Sequence, residues 1–125
     1  MKYLCLICAE KVMEQMTEAD AAQHYEEYRE FTDGIRKSGH LVSANRLKPP
    51  AEATTVRVRQ GHVSTTDGPY AETKEQLGGI LLLEAKDMKH AIELMSKHPG
   101  VRLGGPFEIR PADEEINALV AARQA

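Results

Sequence analysis

Two side chains, His24 and Asp67, are of types that can move a proton between them. Histidine titrates near neutrality and serves as a general base, and a carboxylate beside it orients the ring and raises its basicity. His24 shares a helical face with Tyr28, Phe31 and Ile35, which turns it toward a core. The same spacing also fits a partly exposed helix histidine. Asp67 opens Asp67-Gly68-Pro69, a turn with a mechanism. Asp bonds nearby backbone, Gly permits positive φ, and Pro fixes φ. A turn alone explains an aspartate there; burial beside a sheet would make it an acid or base. Behind it, Glu72, Lys74 and Glu75 form a charged run that is either solvated or reaches into a site. Lys74 or Arg57 can hold an anionic group by charge-assisted hydrogen bonds. Gly78-Gly79 lets backbone approach something closely. The expectation is a cleft at the end of a sheet where Asp67 meets the first helix near His24.

The other histidines carry plainer readings. His98 ends a second helix, where a cation suits the dipole. His40, His62 and His90 read as strand, hairpin and helix-surface residues. Cys5 and Cys8 form a C-x-x-C, but on a strand residues three apart point to opposite faces. No second cysteine pair completes a metal site, so both read as small reduced hydrophobes without metal or mutual disulfide. The sequence contains no P-loop, dinucleotide fingerprint, nucleophile elbow or metal-spaced His/Glu set. No cofactor is expected.

These residues need elements to position them. The chain's 125 residues suit one domain with a proper core. A net charge of -3 and the lack of a Lys/Arg block argue against nucleic acid as a partner. The apolar runs are too short to cross a membrane, and the first one is quickly followed by charge, unlike a signal peptide. The expectation is a cytoplasmic protein.

Tyr3–Ala9 reads as a strand apolar on both faces, and Glu10–Met16 as a loop. Thr17 starts a helix with Asp20 three residues on, resembling a capping box. Ala21, Tyr25, Tyr28, Thr32 and Ile35 form its stripe, and Ser38-Gly39 stops it. His40–Leu47 is a strand broken by Pro49-Pro50. Thr54–Arg59 and His62–Thr66 flank Gln60-Gly61 as a hairpin. Ile80–Ala85 is a second strand apolar on both faces. Asp87 caps a helix with stripe Met88, Ala91, Ile92 and Met95, ended by Pro99-Gly100. Phe107–Arg110 is the last strand, and residues 111–125 form a helical tail.

This order predicts a ferredoxin-like α+β sandwich with two helices on one face of a mostly antiparallel sheet. Tyr3–Ala9 and Ile80–Ala85 are its central strands. Leu4, Leu6, Leu81 and Leu83 are expected on one face, and Cys5, Ile7, Ile80 and Leu82 on the other. Two helices cover one face only, so a second copy of the chain, or the tail, is expected to cover the second.

The run Asp67-Gly68-Pro69-Tyr70-Ala71-Glu72-Thr73-Lys74-Glu75-Gln76-Leu77-Gly78-Gly79 resembles the signature of the DGPF-domain proteins, within the YCII-related group. That pattern has Phe where this chain has Tyr70. The resemblance extends over Lys48-Pro49-Pro50, Thr54–Arg59, His98-Pro99-Gly100 and Ile109-Arg110-Pro111, roughly Leu41 to Pro111. It implies a dimeric ferredoxin-like fold of the α/β-barrel type, similar to muconolactone isomerase-type dimers. It also implies association with extracytoplasmic-function sigma factors, beside or fused to which some members occur. The wider group includes a dehalogenating member, and a histidine–aspartate pair has been proposed as its active site. Asp67 carries over from within the motif. The group's histidine lies on the first helix, where His24 stands about a turn displaced.

Two function classes follow. One is a small enzyme using Asp67 and His24 on a small acidic or carbonyl-containing molecule. The other is a dimeric ligand-binding or regulatory module without turnover.

Overall fold

Cap chemistry sets both ends of the first helix in the computed structural model, which describes residues 1–10, 17–69, 75–100 and 106–124. Helix α1 (Glu18–Lys37) begins where Thr17 Oγ1 accepts the Asp20 backbone N–H at 3.1 Å. Glu18 and Asp20 in its first turn and Arg36 and Lys37 in its last complement the helix dipole. It ends at Ser38, and Gly39 takes φ +84°, the left-handed conformation expected of a helix stop. The buried side chains on α1 are His24, Thr32 and Ile35. Tyr25, expected in the stripe, is 54% exposed, and Ala21 is also exposed. Burial follows the side facing the sheet, and that side is narrower than the sequence stripe.

Strand β1 (Lys2–Glu10) runs before α1, and β2 (Leu41–Arg46) follows it. A short 3-10 turn at Pro50–Glu52 leads to β3 (Thr54–Arg59) and β4 (His62–Asp67). Then come β5 (Glu75–Glu84), α2 (Met88–Met95), β6 (Phe107–Pro111) and α3 (Glu114–Gln124). The main sheet has order β2-β5-β1-β6, all antiparallel, and β3-β4 form a separate two-stranded sheet. With the hairpin set aside, this is the ferredoxin-like order, with β1 and β5 central as expected.

The hairpin turn is of the kind a two-residue connection demands. Gln60 and Gly61 have φ of 52° and 78°, the left-handed pair whose twist suits a two-residue connection. Asp87 caps α2 by accepting the His90 N–H at 2.8 Å. On α2, Ala91 and Met95 are buried, while Ile92 is 54% exposed and Leu94 packs on the core in its place.

Antiparallel register corrects the expected division of the sheet faces. Cys5 lies opposite Leu81 and Tyr3 opposite Leu83, while Leu4 lies opposite Leu82 and Leu6 opposite Ile80. Directly opposed residues share a face. Tyr3, Cys5, Leu81 and Leu83 are therefore on one side and buried, the last three with Ile35 of α1 and Met95 of α2, and Tyr3 with Ala85 and Ala91. Leu4, Leu6, Ile80 and Leu82 share the other side and are only half-buried. The expected excess of apolar sheet surface is present, with these members.

Strand β5 also starts earlier than its apolar run. Gly78 and Gly79 lie inside it: Ile7 pairs with Gly79 and Cys8 with Leu77, so Gly78 forms a bulge. A Cβ on Gly79 would stand 3.3 Å from the Asn45 carbonyl oxygen. The close approach expected of this pair is made by the neighbouring strand.

Candidate functional site

His98 follows the end of α2 and is carried by two local bonds. Its backbone N–H donates to the Met95 carbonyl at 3.0 Å. Its ring Nδ1 accepts the Gly100 N–H at 2.9 Å. An accepting Nδ1 carries no proton, so the neutral ring is protonated at Nε2. The ring is 4% exposed and meets Phe31 at 5.0 Å, Phe107 at 5.2 Å and Tyr28 at 5.7 Å between centroids, each edge to face. Helix α1 supplies two of those rings because Tyr28 and Phe31 are three residues apart. Strand β6 supplies the third.

Gly100 permits this arrangement. A Cβ there would stand 3.0 Å from His98 Nδ1 and 3.6 Å from Phe107. The His98-Pro99-Gly100 run is thus a device for burying an imidazole with one nitrogen satisfied by its own chain. Among the described residues, the other nitrogen, Nε2, has no hydrogen-bond partner. Burial, and secondarily the charge of His24, lower the His98 pKa to about 4. His98 is therefore neutral at pH 7. The expected cation at a helix end is not what stands there.

His24 is buried on α1 and lies near enough to His98 to oppose its protonation. Two imidazoles from two different elements thus influence one another, and aromatic rings stand around the second of them, His98. The helical face shared with Tyr28 and Phe31 made His24 legible in the sequence. His98 was missed because its burial arises from rings on α1 and β6, far away along the chain.

Asp67 takes another position. It is exposed, at the last residue of β4, opposite Thr54. Gly68 follows with φ +100°, its N–H donating to the Ala53 carbonyl at 2.7 Å and its carbonyl accepting the Thr55 hydroxyl at 2.8 Å. These bonds tie the turn to the edge of β3. Among the described residues no hydrogen bond or ion pair joins Asp67 to His24. Arg57 lies exposed on β3. Glu72 and Lys74 lie outside the described residues.

An apolar cleft of about 360 Å³ lies beside the turn, lined by Leu47, Pro49, Pro50, Ala53, Pro69 and Leu77, with Lys48 and Glu52. Neither Asp67 nor a histidine lines it. His40 and His90 serve structure: His40 Nδ1 donates to the Glu84 carbonyl at 3.1 Å, and His90 Nδ1 accepts the Lys86 N–H at 3.1 Å. His62 is exposed on the hairpin. Cys5 faces the core, where burial pushes its thiol up to about 11, and Cys8 lies on the opposite face of β1. Among the described residues no helix is long and apolar enough to cross a membrane.

The family described as the YCII-related domain matches residues 1–114. An uncharacterized protein of Rhizobium meliloti (strain 1021) is 35% identical over 79 residues. That alignment covers 60% of this chain and 61% of the relative, so the chain spans less than two thirds of the relative's length.

Proposed function

This chain belongs to the YCII-related family, and on that premise we propose that it is a small enzyme moving a proton on a carbonyl-containing molecule. His24 is its general base. The observation that carries this reading is the burial of His24 within electrostatic reach of a second, neutral imidazole around which aromatic rings stand. Exclusion of water strengthens every polar interaction there. The base removes a proton from the carbon next to a carbonyl, the electron pair moves onto the oxygen, and the proton returns to carbon. The test is solvent deuterium incorporation into levulinate and α-angelica lactone by wild type and by His24→Ala.

The active unit in this reading is a two-fold dimer. Leu4, Leu6, Ile80 and Leu82 present an apolar sheet face that neither α1 nor α2 covers. Ile116, Leu119 and Val120 of α3 are each more than half exposed, so the tail has apolar surface to add to an interface. Within one chain Asp67 is exposed and unbonded to His24, so its acid role requires presentation by the second copy. An Asp67→Asn variant that keeps the dimer and loses activity supports that role.

The exposure of Asp67 also favours a second reading, a dimeric ligand-binding or regulatory module without turnover. Association with an extracytoplasmic-function sigma factor belongs to that reading. Binding of the same small molecules without deuterium exchange would select it.

A further inference from the structure

His98 has the features of a fixed hydrogen-bond donor rather than of a second base. Its Nδ1 is already used as an acceptor by Gly100. The Gly100 N–H holds Nδ1 in place, and Tyr28, Phe31 and Phe107 stand edge to face around the ring. The one proton the neutral ring carries therefore sits on Nε2. That nitrogen is buried, and among the described residues nothing accepts from it. A buried N–H without an acceptor costs stability, and native structures keep few of them. Such a group calls for a partner, and the carbonyl oxygen of a bound ligand can supply one.

Among the described residues, the rings that face His98 are Tyr28, Phe31 and Phe107, with His24 close enough to oppose its protonation. Such a wall suits an uncharged oxygen better than a carboxylate, which would bring a full charge into an apolar surround. A carbonyl oxygen accepts one N–H and gains negative character if a proton is removed beside it. A neutral imidazole donates to such an oxygen without first giving up its own proton.

We propose that His98 Nε2–H is the donor that binds a ligand's ketone, ester or lactone carbonyl oxygen, opposite the base His24. This rests on the proposed carbonyl chemistry of the same site and assigns a role that the site otherwise lacks. The ligand class becomes a small neutral or carbonyl-ended molecule, held at its oxygen by His98 and attacked at its adjacent carbon by His24.

The experiment is nitrogen-15 NMR of the histidine rings in the full-length protein. γ-Butyrolactone, levulinate and chloroacetate are the three probes. In the unliganded protein, His98 should show protonated Nε2 and bare Nδ1. γ-Butyrolactone and levulinate should shift Nε2 of His98 and the ring of His24, and chloroacetate should shift Nε2 far less. His98→Gln, which keeps an N–H near the Nε2 position, should bind γ-butyrolactone within about threefold of wild type. His98→Phe, which keeps an aromatic ring and removes the donor, should bind at least tenfold more weakly. Shifts at His24 with Nε2 of His98 unmoved, or full binding by His98→Phe, would overturn the donor role and leave the base reading intact. A ring protonated at Nδ1 would overturn it without any ligand. No shift at either ring with any probe would remove both proposals together.

Discussion

Acidification should destabilise this protein through His98 in a calculable way. The unfolded chain protonates a histidine near pH 6.5, whereas the folded ring holds off protonation until about pH 4. Between those values the unfolded state binds more protons, so stability rises with pH across that window and is flat above it. The contribution of His98 is thus fully present above pH 6.5 and lost as the pH falls to about 4. At 1.36 kcal/mol per pH unit the gap amounts to about 3 kcal/mol, or roughly 10 °C in Tm for a chain of this size. Carboxylates titrate over the same range, so the measurement is a difference. Urea unfolding from pH 7.5 to 4 is followed for wild type and His98→Phe at one fixed protein concentration, since association shifts apparent stability. The variant lacks the acceptor for the Gly100 N–H and starts lower by about 1–3 kcal/mol at pH 7. Its decline toward acid should then be shallower than wild type's by about 3 kcal/mol. Parallel curves, or an NMR titration of His98 with a midpoint near 6.5, would refute the burial argument.

Three further outcomes test packing and assembly. Gly100→Ala places a methyl 3.0 Å from a ring that three aromatic rings confine, and should cost about 1–3 kcal/mol in urea unfolding and displace the His98 ring signals. Leu81→Ala empties a fully buried position between the central strands and both helices, and should cost about 2–5 kcal/mol by the same assay. Leu6→Arg, on the half-buried sheet face opposite Ile80, should convert a dimer into a monomer in light scattering; a wild-type monomer at micromolar concentration would remove the dimer argument. The interface it disrupts should exceed about 1,000 Å² in total.

The legible parts of this fold were those set by short-range chemistry. Thr17, Asp87, Gly39 and Gln60-Gly61 act through backbone bonds or φ values within a few residues of themselves. The two central strands were legible because apolar runs on both faces fit only the middle of a sheet. The grouping of their residues was not, because which leucine faces which cysteine depends on a register between residues some 75 positions apart. Gly78-Gly79 fell outside the strand expected from Ile80 because glycines are poor strand formers, yet a bulge and a close neighbouring carbonyl are what their missing side chains serve. The same division governs the site. His24 could be placed by its helical face, while the burial of His98 needed rings from α1 and β6. Asp67 drew attention through its motif, and its local bonds are those of a turn on a hairpin edge.

Proton transfer at His24 is the central claim, and deuterium incorporation measures it directly. Levulinate and α-angelica lactone are incubated in heavy water with wild type, His24→Ala and buffer alone, and loss of the proton signals next to the carbonyl is followed by NMR. Wild type should exchange well above buffer. His24→Ala should lose at least a hundredfold, the contribution expected of a general base. Exchange no faster than buffer with wild type, or equal exchange in the variant, would contradict proton transfer at His24.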